Sequence, residues 1–272
     1  MRISPYATLP QKVGVWTIRL FALLMCLYLA GPIVVFIPLS FSDKALFHYP
    51  IQSFSLRWYH QLVTSPEWLR AVLNSLAVAT SASVLATILG VAAAFGLWRA
   101  RFRGKEAVMM VIMTPMIVPA VISGVSMYLA LAKVGLGNTH LGLILAHTAL
   151  AAPLVVITVS ATLSKFDTTL LRAAANLGAN PLTAFRRVCL PVIASGVFTG
   201  AIFAFALSFD DVVVALFIAG PAQRTLPVQM YMQANDLVDL TITAAATVML
   251  VLSLALMVGV EFMKKREVAT AR

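Results

Sequence analysis

The feature that most constrains this chain is a set of long apolar runs. A bilayer core takes about 20 apolar residues to cross about 30 Å. Six stretches reach that length, near Leu20–Phe41, Ala71–Trp98, Ala107–Leu131, Leu141–Leu163, Val192–Ala219 and Leu240–Phe262. In hydrocarbon every backbone N–H and C=O must be paired within the protein, so such runs read as helices. Composition agrees: of 272 residues, 61% are hydrophobic and only 11% charged, about half the charge of a typical soluble domain. That balance excludes a disordered, collagen-like or disulfide-scaffold chain and a soluble enzyme surface. The expectation is an all-α integral membrane protein, one domain over residues 1–272 with six transmembrane helices.

An even number of spans puts both termini on one side. The net charge of +10 is distributed accordingly. Fifteen of the 20 Lys and Arg residues fall at the termini and in alternate connections, including Arg99, Arg101, Arg103, Lys105, Lys165, Arg172, Arg186 and Arg187. The opposite set is Lys44, Arg57, Arg70, Lys133 and Arg224. The excess predicts cytoplasmic termini. It also makes the basic charge a topology signal rather than a nucleic-acid surface. The external connection from Ser42 to Arg70 carries Trp58, Tyr59 and Trp68, residue types suited to an interfacial belt. The first run is longer than the 7–15 residues of a signal peptide and has no small-residue cleavage site, so a retained helix is expected. Cys26 and Cys189 have no metal spacing and read as small apolar residues.

The cytoplasmic connection from Ser164 to Pro191 is the most informative loop. Ser164 with Asp167 matches a capping box. Leu170, Leu171, Ala174 and Leu177 recur at helical spacing, and Gly178 and Pro181 end that helix. A second short helix is expected from Pro181, with Leu182, Phe185 and Val188 on one face, and Pro191 opens the fifth span. Two readings fit this pattern: a helix lying on lipid headgroups, or a small-residue corner that lets another protein approach.

The same loop resembles the signature of bacterial ABC-transporter permeases: E-A-A, three residues, G, nine residues, I, one residue, L-P. Ala173, Ala174, Gly178, Leu190 and Pro191 match it, Val188 fills the isoleucine place, and Arg172 stands where the family has glutamate. Further strings resemble the spermidine/putrescine branch, whose relatives carry opines and aminophosphonates. They are Phe54 to Tyr59, Asn74 to Leu76, Leu89 with Gly90, and Pro115 to Pro119. The resemblance implies the architecture of a type I ABC importer permease in the bacterial inner membrane. It implies a loop, with Arg172 at its head, that docks on a cytoplasmic ATPase dimer. That dimer would use ATP and Mg, with no cofactor bound by this chain. It also implies a second permease subunit and a periplasmic binding protein. The reversed charge at Arg172 leads us to expect an unusually acidic matching ATPase surface.

The fifth run is interrupted by Asp210 and Asp211. A carboxylate in a span costs about 3 kcal/mol on insertion scales, so two adjacent ones need a reason. Asp210 lies 19 residues past Pro191, roughly 28 Å along a regular helix and therefore near the outer face. Adjacent residues point about 100° apart, so one can face a pathway while the other caps or pairs. A cation site fits these residues, with Phe205 and Phe209 adding cation–π contacts. A helix end with carboxylates in headgroup water fits them too. The string Ser208, Asp210, Asp211 resembles the polyamine-type permeases, as do Gly220 with Pro221 and Thr225 to Val228. That likeness favours a polyamine cargo, with an opine or aminophosphonate as alternative. Leu240 departs from the proline usual beside Asp239. Asp236 and Asp239 are expected outside the membrane and solvated.

Other candidates are weaker. Pro115 and Pro119 must disturb the third span. His147, within the fourth, suits a structural hydrogen bond better than proton relay. His48, His60 and His140 suggest no metal site. No P-loop is present, so ATP hydrolysis by that route falls to a partner. No catalytic nucleophile–base pair stands out. A proton-coupled secondary transporter using Asp210 or Asp211 is the rival from another class.

Overall fold

The computed structural model describes residues 9–44, 51–236 and 240–270. Helices dominate, and among the described residues the sole extended pairing is an isolated bridge between Ser42 and Phe54. In order they are α1 (Leu9–Leu39), α2 (Arg57–Thr64), α3 (Pro66–Arg99), α4 (Lys105–Ile117), α5 (Ala120–Lys133), α6 (His140–Leu163) and α7 (Thr169–Asn176). Then come α8 (Pro181–Ala184), a wide turn over Phe185–Cys189, α9 (Leu190–Val192), α10 (Ala194–Asp210), α11 (Val213–Ile218), α12 (Leu226–Asp236) and α13 (Thr241–Thr270). Four helices are individually long and apolar enough to span a membrane, and the number reaches six if each of two bent pairs is one span.

Both bends have local causes. The third apolar run is two helices at 105°. Val118, which precedes Pro119, is extended at φ −69°, ψ 133°, as the proline ring requires of its neighbour. The break falls there, while Pro115 stays inside α4. The fifth run bends by 75° between the Pro181–Val192 segment and α10. Pro191 therefore does not open the long helix. It sits in α9, behind a wide turn closed by the Leu190 N–H on the Phe185 carbonyl, and the straight helix begins at Ala194.

The core is a slab of α3, α6 and α10 held close by small residues. A Cβ on Gly90 would sit 2.6 Å from Val155 Cβ, and one on Gly200 would sit 2.5 Å from Thr158 Oγ1. Backbones can approach this closely because no side chain intervenes. Ser83 Oγ donates across the seam to the Ala201 carbonyl at 2.7 Å, and Thr158 and Thr162 return their hydroxyls to their own helix. α1 lies outside this slab, touching α13 and leaving its apolar side chains exposed, as a lipid-facing helix does.

Two expectations fail here. Trp58 and Trp68 are not an interfacial belt: they are 3% and 2% exposed. Trp58 Nε1 donates to the Ser42 carbonyl at 2.7 Å, so its polar atom is satisfied inside, and Trp68 packs with Leu62 and Phe209. The capping box also fails. Ser164 closes α6 in helical geometry and donates to the Ala161 carbonyl. Asp167 caps the next helix instead, accepting from Thr169 N–H at 2.8 Å and from its hydroxyl at 2.6 Å.

Candidate functional site

The broken fifth run separates its two carboxylates. α10 ends at Asp210, and Asp211 is extended at φ −70°, ψ 122°. Its Oδ2 accepts the Ala215 N–H at 2.9 Å, so it caps the first turn of α11. The same oxygen lies 3.6 Å from His147 Nε2 on α6. Asp210 points elsewhere. It is exposed and lines a groove of about 530 Å³ with Val212, Pro227, Met230, Tyr231 and Met249. One carboxylate is structural and the other is available.

Phe205 and Phe209 stack at 5.6 Å and 13°. Phe209 is 5% exposed and belongs to an inner cluster with Leu62, Trp68 and Leu226, whereas Phe205 is half-buried beside it. The structure thus brings Asp210 to the groove and keeps Phe209 in the core. The side chain of Asp236 and all of Asp239 lie outside the described residues.

The wall beside the break is tied to the start of α3. Asn74 Nδ2 donates to the Ala222 and Arg224 carbonyls, both at 2.9 Å. Its Oδ1 accepts from His140 Nε2 at 3.0 Å, and Ser75 Oγ accepts the Leu226 N–H at 2.7 Å. Two strings far apart in sequence, Asn74 with Ser75 and Gly220 to Val228, form one clamp. His147 was legible as a hydrogen-bonding residue, and its Nδ1 does lie 2.7 Å from Ser208 Oγ. Its approach to Asp211 carried no sequence signal.

The opposite end of the slab carries the signature loop. α7 ends in a Schellman motif: Gly178 N–H meets the Ala175 carbonyl, Ala179 N–H meets that of Ala174, and Gly178 has φ +82°. A glycine accepts that conformation without strain. Ala173 and Gly178 are exposed, and Leu177 is 88% exposed. Ala174 is buried and Leu190 half-buried, while Pro191 lies exposed at the bend. Of the expected apolar face, Leu171 and Ala174 turn inward, but Leu170 and Leu177 do not. Beyond Pro181, Leu182 is likewise exposed, because the wide turn at Phe185 breaks the helical register. Arg172 lines a groove of about 430 Å³ with Arg99, Arg101, Trp98 and Leu171. Phe185 packs on Phe95 at 4.7 Å and Phe166 meets Trp98 edge-on at 5.8 Å. The Thr169 hydroxyl and N–H hold the Asp167 carboxyl below its ordinary value, with a smaller contribution from Arg172. Among the described residues no group of three His, Cys, Asp or Glu is placed to hold a metal.

The sequence profile of the family described as "binding-protein-dependent transport system inner membrane component" matches residues 86–267. The spermidine/putrescine transport system permease protein PotC of Haemophilus influenzae is 36% identical over 231 residues, 85% of this chain and 90% of that protein. The putrescine transport system permease protein PotI of Escherichia coli is 34% identical over 249 residues, 89% of this chain and 88% of that protein. Among solved structures, a chain of a bacterial ABC transporter involved in the import of the acidic polysaccharide alginate superposes with a TM-score of 0.71. That match covers 94% of this chain and 96% of that one, at 14% identity, so it speaks for the fold alone.

Proposed function

The chain belongs to the binding-protein-dependent inner membrane component family and is a multi-pass permease subunit of an ABC importer, and on that premise we propose that its cargo is a small polyamine. The observation that carries this reading is the 36% identity, over 85% of the chain, to a spermidine/putrescine permease. The exposed Asp210 supports it, because a carboxylate in an otherwise apolar groove attracts an ammonium group.

In this reading both termini and the Ser164–Pro191 loop face the cytoplasm, as the distribution of Lys and Arg favours. The exposed Ala173, Leu177 and Gly178 meet an ATPase dimer, which binds ATP and Mg and supplies the energy. A second permease subunit completes the pathway, and a periplasmic protein delivers the polyamine. This chain binds no cofactor and catalyses no reaction. It lowers the barrier to a charged solute by offering Asp210 in place of water.

The test is uptake of labelled putrescine and spermidine by cells whose only polyamine importer contains this chain together with the ATPase, permease and binding protein that copurify with it. Saturable uptake that spermidine competes and a protonophore leaves intact supports the reading. Uptake competed by an opine or aminophosphonate but not by spermidine overturns the cargo. Uptake that persists without the ATPase and collapses with the protonophore overturns the importer.

A further inference from the structure

We infer that His147 is a positioning residue: it fixes the break between α10 and α11 and thereby keeps the groove open around Asp210. The transport part of this inference rests on the polyamine reading above, and the geometric part does not. The imidazole is fully buried on α6, where apolar Leu143, Ala146 and Ala151 are its buried neighbours along the helix. Its two nitrogens serve the two sides of the break. Nδ1 lies 2.7 Å from Ser208 Oγ, two residues before Asp210. Nε2 lies 3.6 Å from Asp211 Oδ2, one residue after it. With the proton on Nε2, the Ser208 hydroxyl donates to Nδ1 and the Nε2–H has the carboxylate of Asp211 close by.

The distance of 3.6 Å is longer than a hydrogen bond, and Nε2 is a buried nitrogen with no hydrogen-bond partner among the described residues. A buried polar atom of this kind asks for a reason, and the nearby carboxylate of Asp211 supplies one. Asp211 already caps Ala215 N–H, so one carboxylate joins α11 to α6. Ser208 and Phe209 are buried and Asp211 is half-buried. Of these four consecutive residues, only Asp210 is exposed.

Remove the imidazole, and Ser208 can return its hydroxyl to the carbonyl four residues back. Asp211 loses its partner on α6, and α10 is free to extend by one residue. Each residue added turns the chain beyond it by about 100°, which takes Val212 out of the groove wall and lets that chain close over Asp210. A positioning role therefore differs from simple packing: an apolar ring of similar volume does not replace it, and an amide that reaches Asp211 does so in part.

The experiment places a cysteine at the groove, Asp210→Cys, in a Cys26→Ser chain within the assembled transporter. A charged, membrane-impermeant thiol reagent reports the labelling rate with His147, His147→Phe or His147→Gln. In parallel, polyamine uptake kinetics are measured for His147→Phe and His147→Gln with Asp210 intact. We expect His147→Phe to slow labelling and to raise KM about tenfold, the size of a coupling between contacting residues, with a smaller change in maximal rate. His147→Gln should recover part of both. Unchanged labelling in His147→Phe, or equal damage from Phe and Gln, overturns the inference. If Asp210→Asn leaves the polyamine KM unchanged while labelling still depends on His147, the cargo reading fails and the positioning role stands.

Discussion

Ser75 Oγ accepts the backbone N–H of Leu226 at 2.7 Å, across 151 positions of sequence. With Asn74 beside it, holding the carbonyls of Ala222 and Arg224, two adjacent side chains do the work of a short β-ladder. A turn that would be dangerous near a membrane, with its backbone polar groups open, is thereby satisfied.

Replacing Asn74 by Leu strands two backbone carbonyls and the ring of His140. Ala222 and His140 are exposed and Arg224 is half-buried, so water makes up part of the loss and the cost falls below the about 1–3 kcal/mol of a fully buried unpaired group. The purified protein should melt at lower temperature in detergent, and limited proteolysis should cut first between Gly220 and Leu226. Wild-type melting and an unchanged cleavage pattern would remove the clamp from the account.

Gly90 faces Val155 where a Cβ would come within 2.6 Å. Gly90→Ala should destabilise by about 1–3 kcal/mol through overpacking. Val155→Ala in the same chain should restore part of that loss, because the two positions share one space. Additive losses in the double variant would show that the seam does not close there.

The two carboxylates of the break should separate in kinetics. Asp210→Asn should raise KM for a cationic cargo about tenfold or more while expression and melting stay normal, as expected for a lost charged contact. Asp211→Asn should lower the melting temperature, since it weakens the cap on Ala215 and the approach to His147. Uptake kinetics and melting measured on both variants decide it, and identical behaviour would contradict the division of roles.

Asp167 makes the start of α7 pH-sensitive. Its folded value is lowered from 3.8 by Thr169 and Arg172. A depressed carboxylate stabilises above its unfolded value, and that contribution is lost as pH falls through the folded one. The amide of Thr169 should therefore gain exchange, relative to an Asp167→Asn chain, as pH drops below the ordinary carboxylate range. Parallel profiles for the two chains would rule the cap out.

Leu177 is 88% exposed beside Gly178, so Leu177→Asp should leave the fold untouched. If the loop docks on an ATPase, this variant should reduce the ATPase that copurifies and uncouple ATP hydrolysis from uptake. Arg172→Glu should do the same where the partner surface is acidic. Full copurification and coupling in both would place the contact elsewhere.

The legibility of these features follows their range. Apolar runs and prolines act locally, so the break at Pro119 and the helical loop around Gly178 were readable from sequence. The Schellman end needed only Gly178 at the right offset. Ser164 misled because a capping pattern does not say how far the preceding helix runs, and α6 used that serine for its own last turn. Trp58 and Trp68 misled because an aromatic near a span end suits either a belt or a core; the Ser42 carbonyl decides for Trp58 and the cluster with Leu62 and Phe209 for Trp68. His147 and Asp211 are 64 positions apart, and no periodicity links α6 to the break. Asp210 and Asp211 were visible as a pair and a split between pathway and cap was expected, but which residue takes which duty depends on backbone dihedrals that residue types do not encode.

The rings of Phe95 and Trp98 near the end of α3 grip Phe185 and Phe166 of the loop, and Asn74 near the other end of the same helix grips the outer turn. Twenty-one residues separate Phe95 from Asn74, about 30 Å of unbroken helix. α3 is thus a lever arm with a handle at each end. If α3 tilts as a rigid rod, the aromatic grip at one end and the Ala222–Leu226 turn at the other must move together.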